Sequence, residues 1–397
     1  MIFSKRVLGV QESFLNKWDS DIKHRVAEGE DFLQFNLGQP DFSLPGFVKE
    51  AIVEAKEKDK NNFYNHTGGT DGLRSAVAGM EEKLSGLAYQ REEIIITNGA
   101  KEAIFLALAA VLNVGDEVII IAPAWPTYIE AVKFLGGVPV VLDTDTDFHL
   151  NLEAIKGAVN AKTVAIIINS PNNPTGVIYD EEELKEVAQM VIANDLLVIS
   201  DEVYSATIFD GKEHFSVAKL PDMKARTVVI DGFSKTLSMT GFRLGYAASS
   251  REMIDAMVKV KSNINGNTNS FFQVVLEDVI AHRAGDFQDF IGYARREYLR
   301  RRDFLCGRLQ EMGVDHTRPQ GAFYVFAKIP EKLHMKSKEF AEFLADKAGV
   351  AVAPGIFFGQ SFDNYFRISF GASMEDLEKG MDKMNKILCF ASPENME

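Results

Sequence analysis

Residues 164–176 read VAIIINSPNNPTG, residues 197–204 read LVISDEVY, and residues 227–243 read TVVIDGFSKTLSMTGFR. Each begins as a continuous apolar run and ends in polar, turn-forming residues. A strand covered on both faces has that continuous apolar character, whereas a half-exposed strand alternates. Four more runs of the same kind lie outward from these, at 93–97, 118–122, 138–142 and 245–248, with helical segments at 101–113 and 181–194 between them. Seven buried runs alternating with helices predict an α/β fold built on a mostly parallel seven-stranded sheet covered by helices.

The pattern differs on either side. Residues 45–59 predict a helix with Val48, Ile52 and Ala55 on one face. Beyond Ser250 come long charged helical stretches at 286–312 and 336–348, and short strands at 322–327 and 365–370, the signature of a smaller α+β domain. The expected organisation is an N-terminal segment over residues 1–40 packing with the small domain, a large ligand-binding domain over 41–275, and the small C-terminal domain over 276–397.

A chain of 397 residues exceeds one ordinary core, in keeping with that division. Its 46% hydrophobic and 25% charged residues are those of a globular protein. The formal charge of −14 repels polyphosphate and anionic lipid, so neither nucleic acid nor a membrane surface is an expected partner. The most apolar helical stretch, 103–112, falls far short of the ~20 residues that span a bilayer, and the first residues lack an apolar leader core. The two cysteines, Cys306 and Cys389, stand far apart, which suits a reducing compartment. Together these predict a cytoplasmic protein. No histidine or cysteine spacing marks a metal site, and neither a GxxxxGK[ST] nor a GxGxxG loop is present, which argues against a nucleotide-binding protein.

Ligands of open α/β sheets settle at the carboxyl ends of the strands. Adjacent strand ends would bring Asn173, Asp201, Tyr204, Lys235 and Arg243 to one cleft. A partly desolvated lysine forms a Schiff base with an aldehyde. A carboxylate beside a pyridine nitrogen keeps it protonated, an amide and a phenol hydrogen-bond a phenolic oxygen, and an arginine clamps a phosphate. The helix start after Thr97–Asn98–Gly99 offers a phosphate free N–H groups and a positive dipole end. Taken singly, each residue has a plainer reading. Lysine is ordinarily a surface cation, an aspartate after a strand can cap a helix, and NNPTG alone is a turn. Their joint occurrence in chain order is what points to a pyridoxal phosphate site.

The segments SPNNPTG, DEVY and SKTLSMTGFRLG resemble those of the class I and II aminotransferases, the fold type I pyridoxal-phosphate enzymes. The resemblance extends from LGQPDF through YNHTGGTDGLR, NGAKEA and APAWPTY to RPQGAFYVF and YFRISFG, nearly the whole chain, and is similar to the aspartate and aromatic branch. It implies that Lys235 carries the cofactor covalently and shuttles a proton, that Asp201 pairs with the pyridinium, and that Asn173 and Tyr204 meet the phenolic oxygen. Trp125 would stack on the ring. Gly99, the Ala100 and Lys101 amides, Ser234 and Arg243 would cup the phosphate, joined by Tyr64 from a neighbouring subunit. Arg367 would grip the substrate α-carboxylate, with Gly38 beside it. One departure stands out: many relatives carry a phosphate-binding serine where this chain has Gly232, so the hydroxyl is expected from Ser234.

The resemblance further implies pyridoxal 5′-phosphate as cofactor, ping-pong transfer from an L-amino acid to a 2-oxo acid, and a homodimer with shared active sites. Aspartate or an aromatic amino acid is the expected donor and 2-oxoglutarate the expected acceptor. Lys101 is the candidate for a distal carboxylate, and Phe14, Phe35 and Phe357 are candidates for an aromatic pocket. The alternatives are a C–S or β-eliminating lyase of the same fold, and a catalytically silent binding or regulatory relative. An intact Lys235, Asp201 and Arg243 argue against the silent relative.

Overall fold

The computed structural model describes residues 2–390. The strands, in chain order, are β1 (Leu33–Gln34), β2 (Ile94–Thr97), β3 (Glu117–Ala122), β4 (Val138–Asp143), β5 (Thr163–Asn169), β6 (Leu197–Asp201), β7 (Thr227–Gly232), β8 (Gly245–Ala248), β9 (Tyr324–Lys328), β10 (Val350–Ala351), β11 (Ala353–Pro354) and β12 (Tyr365–Ser369). β2 to β8 form one seven-stranded sheet in the order β2-β8-β7-β6-β5-β3-β4. Every neighbouring pair is parallel except those of β8, which runs antiparallel to both β2 and β7. The seven predicted runs are these seven strands. β2 starts one residue later than expected, because Gln90 and Glu93 close a capping box around a single turn at Arg91–Glu93.

β6 and β7 are buried along almost their whole length, as continuous apolar runs require, while the edge strand β4 alternates between exposed and half-buried. Helix Ala100–Val111 packs against β7 and β8 on one side and helix Arg251–Ile264 on the other, so it is apolar nearly all round. The predicted helix at 45–59 is shorter, Gly46–Lys56, and gives way to a 3₁₀ turn at Asp59–Asn62.

The C-terminal part holds the antiparallel sheet β11-β12-β9 with helices Ala284–Glu311, Ser337–Ala348 and Met374–Phe390. β1 pairs in parallel with β10, so the N-terminal segment adds backbone hydrogen bonds to this part of the chain. Phe35 belongs to its core, among Phe323, Phe340, Phe366 and Met381.

Candidate active site

Strand order places the site. The chain leaves β3 outward to β4 on one side and returns to build β5, β6 and β7 on the other, so the carboxyl ends of β3 and β5 flank a topological switch point. A cavity of about 290 Å³ lies there. The segment after β3 contributes Trp125 and Tyr128, that of β5 Asn169 and Asn173, that of β6 Asp201 and Tyr204, and that of β7 Ser234 and Lys235. Ala100 and Lys101 enter from the helix start, Arg243 from the turn before β8, Arg367 from β12, and Gly38 from the segment after β1.

Asp201 is buried. Its Oδ2 accepts a 2.6 Å hydrogen bond from Tyr128 Oη, and Asn169 Nδ2 donates to its main-chain carbonyl at 2.9 Å. Burial pushes the Asp201 carboxyl up to about 6, with the Glu202 charge adding to the rise and the Tyr128 hydroxyl opposing it. Lys235 moves the other way. Burial, then the Arg367 and Arg243 charges, bring its ammonium down to about 8. Among the described residues its Nζ donates to a single acceptor, the Gly38 carbonyl.

Arg367, also buried, donates through Nη1 to Asn173 Oδ1 at 2.8 Å and through Nη2 to the Asn36 carbonyl at 2.6 Å, and its Nε has no partner among the described residues. Its guanidinium lies 4.4 Å from the centre of the Tyr324 ring. Tyr204 and Tyr324 share a hydroxyl–hydroxyl hydrogen bond of 2.8 Å. Arg243 adopts a left-handed φ of 57° and donates to the Thr240 carbonyl at 3.0 Å. Two glycines keep this corner open. A Cβ on Gly99, whose φ is +78°, would lie 2.8 Å from Arg243 Nη2, and one on Gly245 would lie 2.7 Å from the Ala100 nitrogen.

The other predicted residues lie apart from the cavity. Gly99 stands behind its wall, as the N-cap of helix Ala100–Val111. Tyr64 is not part of its lining and is 96% exposed. Phe35 is fully buried in the C-terminal core, and packing, not the cleft, explains it. Phe14 and Phe357 stack on each other at 5.4 Å and line a neighbouring groove of about 750 Å³ instead. That groove meets the cavity at Lys101, whose ammonium sits 4.9 Å from the Trp125 ring centre and is lowered by burial and by Arg243.

Sequence reasoning overlooked Tyr128, Asn169, Tyr324 and Asn36. Tyr128 lies within APAWPTY, three residues after Trp125 and so one helical turn on, with the two rings edge to face at 5.6 Å. Tyr324 lies within RPQGAFYVF, and the β9–β12 register makes it a diagonal neighbour of Arg367.

The donor set fits pyridoxal phosphate. A lysine of lowered basicity meets the aldehyde, and a buried carboxyl held by Tyr128 meets the ring nitrogen. A glycine-walled helix start with Arg243 meets the phosphate, and the unpaired Nε of buried Arg367 awaits an anion. No described helix is long and apolar enough to cross a membrane.

Comparison with known proteins agrees with this geometry. The chain is 39% identical over 371 residues to the aspartate aminotransferase of Pyrococcus abyssi, covering 91% of this chain and 93% of that one. It is 37% identical to the aromatic-amino-acid aminotransferase 2 of Thermococcus litoralis, over 91% and 93% of the two chains. The solved structure of Thermus thermophilus aspartate aminotransferase with maleate superposes with a TM-score of 0.93 at 33% identity, covering 98% of this chain and all of that one. Residues 30–396 match the family described as aminotransferase class I and II. With this fold, this donor set and these relatives, the chain belongs to the class I and II aminotransferases and is a pyridoxal-phosphate-dependent amino-acid aminotransferase.

Proposed function

We propose that the cavity at the β3/β5 switch point is the catalytic site, and that it moves an amino group from aspartate or an aromatic L-amino acid to 2-oxoglutarate in two half-reactions. The observation that carries this reading is the meeting of a buried lysine of lowered basicity, a buried carboxyl and a buried arginine in one cavity. Bound pyridoxal phosphate supplies an electron sink for negative charge at the amino acid Cα.

The chain does the rest. Arg367 holds the α-carboxylate, with Asn173 fixing one edge of its guanidinium and the Gly38 segment closing beside it. Lys235 would hold the cofactor covalently and, once freed by the incoming amino group, would move the proton between the substrate Cα and the cofactor's aldehyde carbon on the other side of the nitrogen. Asp201, braced by Tyr128 and Asn169, keeps a proton on the pyridine nitrogen. Tyr204 and Asn173 would meet the phenolic oxygen, and Trp125 would cover the ring. The Gly99–Lys101 turn, Ser234 and Arg243 receive the phosphate. Ser234 lines the cavity, and the hydroxyl missing at Gly232 is assigned to it.

Lys101 is assigned to the distal carboxylate of aspartate and 2-oxoglutarate, because its ammonium lies at the mouth beside Trp125. The working form is a homodimer in a reducing, cytoplasmic setting, with Tyr64 lent to the phosphate of the neighbouring subunit. A tyrosine 96% exposed beside a Phe63 that is 68% exposed supports that assignment. The assignment of residues 1–40 to the small domain is supported by the β1–β10 pairing, whereas the 275/276 boundary between the 41–275 and 276–397 domains falls within helix Ser270–His282.

The test is a half-reaction screen. Holoenzyme is mixed with each amino acid in turn and the loss of cofactor absorbance is followed, then 2-oxo acids are added to restore it. Aspartate and aromatic donors should react fastest, with 2-oxoglutarate restoring the spectrum. Steady release of pyruvate and ammonia without an acceptor would assign a lyase instead. For the dimer, mixing Tyr64→Phe chains with Lys235→Ala chains should change activity through hybrid formation, and a fully active monomer in sedimentation would overturn it.

A further inference from the structure

The first turn of helix Ala100–Val111 carries an acid where the phosphate site would seem to forbid one. The Glu102 side chain is only 13% exposed. Its Oε2 accepts the Asn98 main-chain N–H at 2.6 Å and the Lys261 ammonium at 2.7 Å. Its Oε1 accepts the Asn98 side-chain amide at 3.0 Å and the Asn265 side-chain amide. Lys261 is fully buried on helix Arg251–Ile264 and also reaches Asn265 Oδ1 at 3.3 Å. A buried ammonium is rare, and one paired at this distance is held for a reason of geometry or charge.

The pair grips the turn from behind. Asn98 is bound to Glu102 by both its main chain and its side chain, and Gly99 follows at φ +78° with its carbonyl accepting from Thr97 Oγ1 at 3.0 Å. The free N–H groups of Ala100 and Lys101 take their direction from this turn. A helix N-terminus binds an anion only as well as those groups are aimed. We propose that Glu102 and Lys261 are positioning residues for the cofactor phosphate: the pair locks the 97–100 turn so that its amides converge on the phosphate, without touching it.

The inference rests on placing the phosphate at Gly99–Lys101. The experiment uses full-length apoprotein and two probes, pyridoxal 5′-phosphate and pyridoxal, and reads by absorbance the ratio of the pyridoxal dissociation constant to that of pyridoxal 5′-phosphate. Removing the buried acceptor frees the Asn98 N–H, and the ratio should fall about tenfold or more, with pyridoxal affinity little changed. Glu102→Ala is the single variant, which leaves the Asn98 N–H no side-chain oxygen at position 102. The double variant Glu102→Ala/Lys261→Met removes the pair without leaving a lone buried charge, so it keeps the proposal testable where the single variant does not fold.

A purely electrostatic role predicts the opposite sign, since losing a carboxylate beside a phosphate should tighten its binding. An unchanged or raised ratio in the folded variants, or equal weakening of both probes, overturns the inference. Arg243→Leu separates the two readings. If its ratio falls and those of the Glu102 variants do not, the positioning role alone is wrong. If its ratio also stays at the wild-type value, the phosphate lies elsewhere and both readings fail.

Discussion

The two faces of the β6 and β7 ends carry buried acids in opposite conditions. On the cavity face, among the described residues, Asp201 has one side-chain donor, Tyr128, and Lys235 a single carbonyl, while Arg367 Nε has no partner. On the reverse face, Glu202 accepts from Ser200 Oγ at 2.7 Å and Ser216 Oγ at 2.6 Å and pairs with His214, and Asp231 accepts from Ser205 Oγ at 2.9 Å and the Gly232 N–H at 2.6 Å. Neighbours one residue apart on a strand face opposite ways, so the same strand end holds an incomplete group and a completed one. Incomplete groups await a ligand, and completed ones hold backbone in place. Glu202 is kept ionised despite burial because His214 and two hydroxyls outweigh desolvation, whereas burial and the Glu81 charge hold Asp231 well above the usual carboxylate range.

That contrast breaks first at Lys235. Lys235→Ala should cost at least about a thousandfold in kcat, with the fold intact and the cofactor still bound through phosphate and ring contacts. Borohydride reduction and peptide mapping check the attachment, and a label on another lysine would remove Lys235 from the role. Next comes a paired substitution across the strand. Asp201→Asn should lower kcat about a hundredfold with little change in Tm. Glu202→Gln should instead lower stability by about 3 kcal/mol, while the folded fraction keeps kcat within about threefold. Equal rate losses in the two would erase the distinction between the faces.

Lys101→Ala reaches the rim of the cavity. For dicarboxylic substrates kcat/KM should fall about thirtyfold, about 2 kcal/mol, and for aromatic substrates it should hold. No change for aspartate would make the lysine a helix-start residue only.

The smallest effect is in pH. Lys235 is charged below about 8 and neutral above it, and only the neutral amine attacks an aldehyde. Covalent capture of pyridoxal by the apoprotein should therefore speed up as pH rises, levelling above about 8, in stopped-flow absorbance. A midpoint near the 10.5 of a solvated lysine would mean that burial does not tune it.

The sequence made the sheet legible because doubly covered strands are written as unbroken apolar runs, and 164–168, 197–200 and 227–231 are such runs. Strand-end polar residues were legible for the same reason: Asp201 and Lys235 interrupt apolar surroundings. What the sequence hid was contact between distant elements. Nothing local distinguishes Phe35, which fills a core 300 residues away in the chain, from a cleft aromatic; that depends on the β1–β10 pairing. Tyr128 and Tyr324 read as core tyrosines until β3 is set beside β5 and β9 beside β12. Glu102 reads as a common first-turn acid until Lys261 arrives from another helix.

The hydrogen bond from Arg367 to the Asn36 carbonyl joins residues 331 positions apart. A contact of such range forms late, because the intervening chain must be ordered before closing the loop is favourable. Synthesis proceeds at about 5–20 residues per second, so Asn36 waits roughly 17 to 66 seconds for its partner to be made. The sheet with Lys235 and Asp201 is translated well before that. A nascent chain therefore contains Lys235 and Asp201 before it contains Arg367, and until Arg367 is made Lys235 lacks one of the charges that lower its basicity.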